Sequence, residues 1–293
     1  MSDMKLLGAI EGGGTKMVCA IGHADGTVLK RVSIPTEMPE TTIPKVIRFF
    51  QDERVEAICV ASFGPVALNK NAPNYGSITS TPKLEWVDIP IMPIIRDALD
   101  IPAAIELDVN AAAYGEWKQG AGRSLSSLIY ITVGTGIGAG VVCENNLVHG
   151  LVHPEFGHML LRPHPNETHP DGFCPYHRGC LEGMASGPAM EKRFGIKADR
   201  LDEGHTAWDL EAYYLAQGVV NAIVTLSPER IILGGGVMHH RALFPQIGAY
   251  VIEMLNGYIR SEMILKRIAE YITPPALGDD SAIKGCLLLA AEL

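Results

Sequence analysis

Residues 6–34 read LLGAIEGGGTKMVCAIGHADGTVLKRVSI, and residues 128–149 read LIYITVGTGIGAGVVCENNLVH. In each stretch an apolar strand-like run enters a glycine turn and a second apolar run leaves it. A turn dipeptide, Asp25-Gly26 or Asn145-Asn146, then precedes a third strand, so that the strands end near Ile34 and His149. The same order met twice implies a structural duplication, with two related lobes each presenting a glycine turn to a shared cleft. Glycines let backbone N–H groups approach a phosphate closely, and Thr15 and Lys16 add a hydroxyl and a charge to the first turn. A hairpin also uses glycine simply to reach positive φ, and the G-x-x-x-x-G-K-[ST] pattern is absent. A third glycine turn, Gly234-Gly235-Gly236-Val237-Met238, follows the strand Arg230–Leu233 and suits a flat base and ribose.

Between these turns the chain alternates strands and helices. A helix is expected over Pro44–Glu53, a buried strand over Ala57–Ala61 ending in Ser62-Phe63-Gly64-Pro65, and a polar loop over Ala67–Pro82. A helix over Ile91–Leu99 and a strand over Ala103–Leu107 lead to Asp108-Val109-Asn110, where an alanine-rich helix begins. Asp108 and Asn110 have two readings: ordinary helix N-caps, or polar groups at the C-terminal edge of a sheet, where α/β folds place ligands. Further helices are expected from Gly187-Pro188 to Phe194, over Trp208–Leu226 and over Phe244–Tyr258. A last one, Ala282–Leu293, would be capped by Asp280 or Ser281. The first lobe is drawn as residues 1–115 closed by about 276–293, and the second as 116–275.

Six of the ten histidines lie between His149 and His177. Cys174 and Cys180 bracket His177 in a C-x-x-H-x-x-C array, the spacing at which one short loop wraps a tetrahedral ion with the thiolate and imidazole ligands zinc prefers. A fourth ligand would come from His153, His158, His164 or His169. Glu155 precedes the array in His153-Pro154-Glu155-Phe156-Gly157-His158 and Glu182 follows it, so two carboxylates flank the loop, as a polyhydroxylated ligand would require. Cys19, Cys59, Cys143 and Cys286 are scattered among apolar residues and read as small core residues in a reducing compartment. The chain has 293 residues, a formal net charge of −9 and no basic block, which argues against nucleic acid or an anionic membrane as partner. Met1–Lys5 runs straight into the first strand without a secretory leader, and no apolar run reaches membrane length, so a soluble cytoplasmic protein is expected.

Three glycine turns in this order, with an acid after the first lobe, resemble the sugar-kinase branch of the actin-like ATPase (ribonuclease H-like) fold. In detail the chain resembles the ROK family of repressors, open reading frames and kinases. Ile10–Lys16 is similar to the family's N-terminal ATP signature, Glu155-Phe156-Gly157-His158 to its E-x-G-H, and Cys174–Gly183 to its zinc and sugar motif, with the histidine of the array as in the fructokinase branch. The resemblance implies an α/β fold with two duplicated lobes around an ATP and sugar cleft, and phosphorylation of the 6-hydroxyl of D-fructose. It makes Asp108 the base and Glu155, His158 and Glu182 the sugar ligands, with Asn110, Gly64 and Pro65 beside them.

The resemblance gives ATP to Glu11, Gly13, Gly14, Thr15, Lys16, Gly134, Thr135, Gly136, Gly187, Pro188, Gly235, Gly236 and Val237. Mg²⁺ would bind with the phosphates, and a structural Zn²⁺ would be held by His158, Cys174, His177 and Cys180, in a homodimer. Removing that zinc is expected to weaken sugar binding and leave ATP binding little changed. Two residues depart from the family's glucokinases: Leu107 stands where they have Asn before the base, and Glu11 where the first signature has Asp. The alternatives are a kinase for glucose, mannose or an N-acylated hexosamine, and a non-catalytic sugar sensor or repressor. A repressor carries a winged helix ahead of the ATP signature, and here the signature begins at Glu11.

Overall fold

A computed structural model describes residues 5–81 and 83–293. Residues 1–4, on which the expectation of no secretory leader falls, and Pro82, the end of the expected polar loop, lie outside the described residues. The chain forms two compact units, 1–120 with 147–153 and 280–293, and 121–146 with 154–279. The short segment 147–153, drawn with the second lobe from the sequence alone, thus belongs to the first unit.

The first unit contains β1 (Leu7–Gly12), β2 (Lys16–Gly22), β3 (Val28–Pro35), α1 (Pro39–Gln51), β4 (Ala57–Ser62), α2 (Ile91–Leu99), β5 (Ala103–Leu107) and α3 (Asp108–Gln119). Its sheet has the order β3-β2-β1-β4-β5, with β1–β2 and β2–β3 antiparallel and β1–β4 and β4–β5 parallel. The register aligns Gly12 with Ser62 and Ser62 with Leu107. The C-terminal ends of β1, β4 and β5 therefore share one sheet edge, which carries the first glycine turn, Gly64-Pro65 and Asp108.

One face of this sheet packs Ile10, Val60 and Ile105 into a core with Phe50, Trp86 and Ile95, all buried. The other face is lined by small residues, Ala9, Ala20, Cys59 and Ala61, and receives the C-terminal helix Ser281–Ala290. That helix crosses α3 at close range: a Cβ on Gly285 would lie 1.8 Å from the Ala111 carbonyl oxygen, and one on Gly115 2.3 Å from that of Ser281. The alanines of α3 thus serve backbone approach rather than an amphipathic stripe.

The second unit contains β6 (Leu128–Val133), β7 (Ile137–Cys143), β8 (Asn146–Leu147), α4 (Leu181–Ala185), α5 (Gly187–Phe194), α6 (Ala207–Leu226), β9 (Arg230–Gly234), α7 (Leu243–Leu255), α8 (Glu262–Leu265), α9 (Ile268–Tyr271) and β10 (Ile272–Thr273). Its sheet order, β10-β9-β6-β7-β8, read backwards matches β3-β2-β1-β4-β5 strand for strand, with the same antiparallel β6–β7 and parallel β6–β9 and β9–β10 pairs. The duplication is complete at the level of topology, and the fold is the duplicated α/β architecture of the actin-like ATPases.

Several elements differ from their sequence expectation, each for a local reason. The first helix starts at Pro39, in the N1 position that suits proline, with Pro44 tolerated in its interior. The strand expected to reach His149 stops at Leu147. Beyond it, the imidazoles of His149 and His153 go to partners in the first unit. Helix α7 ends at Leu255 because Asn256 takes the left-handed conformation that stops helices. Asp280 stands at the N-cap of the last helix but makes no side-chain cap bond; it pairs with Arg31, while Ser281 donates to Glu116. Cys19, Cys59 and Cys286 are buried as expected, whereas Cys143, the last residue of β7, is exposed. No helix among the described residues is long and apolar enough to cross a membrane.

Candidate functional site

In the first unit the sheet edge gathers a carboxylate, a glycine turn and a rigid corner. Asp108 is the first residue of α3, and Leu107 occupies its N-cap position. The Asp108 carboxylate accepts from the neighbouring N–H, Val109 to Oδ1 at 2.8 Å, instead of reaching one turn into the helix as a capping side chain does. Burial raises its pKa from 3.8 to about 6, against the lowering effect of the N–H groups of Val109 and Asp108 itself. A carboxylate with that pKa is a competent base near neutrality. Gly64 sits against the same spot, where a Cβ would lie 2.8 Å from the Leu107 side chain, and Val66 N–H donates to His153 Nε2 at 3.3 Å.

Asn110, expected among the substrate contacts, is fully buried, and its Oδ1 has no hydrogen-bond partner among the described residues. Its Nδ2 donates to Glu106 Oε1 at 2.8 Å, and Glu106 also accepts its neighbour's N–H, from Leu107, at 2.9 Å. The second Glu106 oxygen lies 2.8 Å from His149 Nε2, and this hydrogen bond raises the His149 pKa. The sequence reading missed this buried carboxylate two residues before the base; only its position flagged it. Together these groups fix the first turn of α3, and hence Asp108.

The glycines of the turns are not there for backbone conformation. None of Gly12, Gly13, Gly14, Gly134 or Gly136 has positive φ. Gly13 N–H closes the first turn onto the Lys16 carbonyl at 2.9 Å, leaving Gly14, Thr15 and Lys16 exposed. A Cβ on Gly14 would meet nothing nearer than the Lys83 side chain at 3.8 Å, and one on Gly134 nothing nearer than the Gly236 nitrogen at 4.0 Å. Glycine where neither φ nor a neighbour demands it leaves backbone N–H groups open to a ligand. Gly235 is the contrast: its φ is 89° and a Cβ would lie 2.5 Å from the Val133 carbonyl oxygen.

In the second unit the expected nucleotide residues come together. Gly187 N–H donates to the Gly134 carbonyl at 2.8 Å, and Ser186 caps α5 by accepting from Ala189 N–H. The second and third glycine turns and the start of α5 therefore share one corner, with Thr135 and Pro188 exposed beside them. A cavity of about 310 Å³ opens from Gly236 and Val237, lined by Leu201, Trp208, His239 and His240. The His240 ring stacks on Trp208 at 3.9 Å between centroids, an apolar wall that sequence patterning did not reveal.

His158, Cys174, His177 and Cys180 bring their ligand atoms within 4.8 Å of one another. Cys174 Sγ lies 3.9 Å from His158 Nδ1 and 3.7 Å from His177 Nδ1, and Cys180 Sγ lies 3.8 Å from His158 Nδ1. A tetrahedral ion with metal–sulfur bonds of about 2.3 Å and metal–nitrogen bonds of about 2.0 Å has S···N edges of about 3.6 Å. The cluster thus fits such an ion with little movement. Among the four candidates for the fourth ligand, the structure selects His158. His153 is held by Val66, His164 Nδ1 accepts from Asn166 N–H, and His169 Nδ1 lies beside Thr168. Backbone bonds from Leu161 to Gly179, Leu181 to Met159 and Phe173 to Gly183 hold the loop closed. Glu155 immediately precedes the short 3₁₀ turn Phe156–His158, and Glu182 lies in α4 two residues after Cys180.

The sequence profile of the ROK family matches residues 7–292. The chain belongs to the ROK family. A Bacillus subtilis protein is 47% identical over 98% of this chain and 96% of its own length. Two ROK relatives named fructokinase, from Pediococcus pentosaceus and Streptococcus mutans, are 44% and 39% identical over 97% and 99% of this chain, and over 97% and 98% of their own. The ROK hexokinase from Thermus thermophilus has the same fold, with a TM-score of 0.77, 25% identity and 98% of each chain covered.

Proposed function

We propose that this ROK protein is an ATP-dependent fructokinase that phosphorylates the 6-hydroxyl of D-fructose. The observation that carries the reading is its near full-length similarity, at 44% and 39% identity, to two fructokinases. Asp108 takes the proton of the attacking hydroxyl as its oxygen bonds to the γ-phosphorus and the bond from that phosphorus to the β–γ bridging oxygen breaks, releasing ADP, a contribution of about 10²–10⁴-fold. Glu106 and Asn110 hold the turn that aims it. Glu155, His158 and Glu182 bind sugar hydroxyls, and Gly64-Pro65 shapes the wall beside the base. The glycine turns 12–16, 134–138 and 234–238, with Gly187-Pro188, receive the nucleotide, whose base enters the cavity under Trp208 and His240. Mg²⁺ would neutralise phosphate charge, with Glu11, at the end of β1, as the residue to hold it through water.

His158, Cys174, His177 and Cys180 would hold a structural Zn²⁺. Because Nδ1 of His158 lies beside the sulfurs of Cys174 and Cys180, its Nε2 is left for a sugar hydroxyl. Leu107, in place of the asparagine of family glucokinases, favours fructose over glucose. The reaction is assigned to the cytoplasm, in keeping with six unpaired cysteines, and the working form to a homodimer. ATP turnover measured across fructose, glucose, mannose and N-acetylmannosamine tests the assignment. A kcat/KM for glucose above that for fructose refutes it, and sedimentation of a monomer at working concentration refutes the dimer.

A further inference from the structure

The peptide of Ile137 is where the second glycine turn, the Glu155–His158 segment and the helix bearing Glu182 meet. Ile137 is the first residue of β7, directly after the second glycine turn. Its N–H donates to Glu182 Oε2 at 3.0 Å. Its carbonyl lies against Gly157 of Glu155-Phe156-Gly157-His158, where a Cβ would come within 1.9 Å of the oxygen. The same oxygen packs closely against Gly136, where a Cβ would lie 2.7 Å from Glu182 Oε2. The helix that bears Glu182 begins at Cys180, one of the clustered metal-type ligands, and Cys180 Sγ caps it by accepting Gly183 N–H. Two residues past that helix, Gly187 N–H holds the other arm of the turn at the Gly134 carbonyl. The five-residue helix α4 therefore links the Cys/His cluster to one arm of the glycine turn through Glu182, and Gly187, at the start of α5, holds the other.

We propose that Glu182 is a positioning residue for the second glycine turn, fixing the Ile137 peptide so that the turn is preorganised for nucleotide even when no sugar is bound. This rests on the reading of that turn as a phosphate site. One carboxylate oxygen serves the turn, and the other remains for a sugar hydroxyl, so Glu182 joins the two substrates through a single side chain. Because Cys180 starts the same helix, loss of the metal loosens Glu182 as well. Nucleotide affinity then falls on chelation, contrary to the expectation that removing the zinc leaves ATP binding little changed.

Sugar-free protein separates this role from sugar binding. Calorimetric titration of the magnesium complex of AMP-PNP into wild type, Glu182→Leu and Glu182→Gln is the experiment, with amide hydrogen exchange of the peptide around Ile137 as a second readout. Leucine cannot accept from the Ile137 N–H; glutamine can, through its amide oxygen. The expected result is a loss of nucleotide affinity of about tenfold in Glu182→Leu, the scale of one hydrogen bond to a charged group, with faster exchange at Ile137. Glu182→Gln should stay within about threefold of wild type, and chelated wild-type protein should fall between the two.

Unchanged nucleotide affinity in Glu182→Leu, with Ile137 exchange accelerated, overturns the proposal while leaving the phosphate reading of the turn intact. Absence of nucleotide binding to wild type defeats that reading, and this proposal with it. If the leucine variant does not fold, Glu182→Ser replaces it, since its hydroxyl is too short to reach Ile137.

Discussion

Replacing Asp108 by asparagine separates catalysis from stability, because the two effects have opposite signs. The carboxyl of Asp108 has its pKa raised from 3.8 to about 6 by burial. A shift of about 2 units corresponds to about 3 kcal/mol at 1.36 kcal/mol per unit. The side chain is only partly buried, so screening reduces this to about 1–2 kcal/mol. A raised carboxylate pKa means the folded protein holds this proton more firmly than the unfolded chain. The group's contribution to stability is thus fully present below about pH 3.8 and is lost as pH rises through about 6, leaving an ionised, poorly solvated charge at pH 8.

Asparagine keeps the acceptor for Val109 N–H and removes that charge. At pH 8 the variant should therefore melt higher than wild type by about 2–6 °C, and the gap should close as pH falls from 7 to 5. Turnover should drop by roughly 10²-fold or more with fructose affinity near normal, and wild-type kcat/KM should show an acid limb near pH 6. Calorimetric melting and steady-state kinetics across pH 5–8 test both halves. A variant that is less stable at pH 8 and retains turnover would mean that Asp108 merely shapes the start of α3.

Other consequences follow from particular contacts. Gly14→Ala and Gly134→Ala add a Cβ into open space, so chemical unfolding should change by less than about 0.5 kcal/mol while the KM for ATP rises several-fold. Gly285→Ala places a Cβ 1.8 Å from the Ala111 carbonyl and should destabilise the protein by about 2–4 kcal/mol in urea titration, since backbone rather than a flexible side chain must yield. Cys174→Ala should abolish one-to-one zinc retention, read by a chromogenic chelator, and raise the fructose KM at least several-fold. An unchanged KM would show that the cluster only staples its loop.

Much of this protein could be read from local chemistry. The duplication was legible because strand, glycine turn, strand and hairpin recur in order at 6–34 and 128–149, and strand periodicity and turn residues are local properties. The metal-type loop was legible because C-x-x-H-x-x-C places three ligands on one turn of chain, and Asp108 because the acid follows a strand directly. The sequence by itself determined the strand order within each repeat and the ligand types, since these rest on spacing along the backbone.

Residue types and spacing left His153, His158, His164 and His169 open as the fourth ligand, and the family resemblance pointed to His158; the tertiary structure brings that imidazole to the cluster, because its place there depends on a space closed by chain segments about twenty residues apart. The tertiary structure alone showed that the Asn110 Nδ2 donates to Glu106, that His149 bonds the second Glu106 oxygen from the surface, and that residues 147–153 leave the second unit for the first. It alone distinguished glycines that leave room for a ligand, Gly14 and Gly134, from Gly235, which its φ requires, and from Gly285, which a neighbouring backbone requires. Burial, close approach and the raised pKa of Asp108 arise from residues distant in the chain. Solvent exclusion is a property of their assembled volume, and no local pattern encodes it.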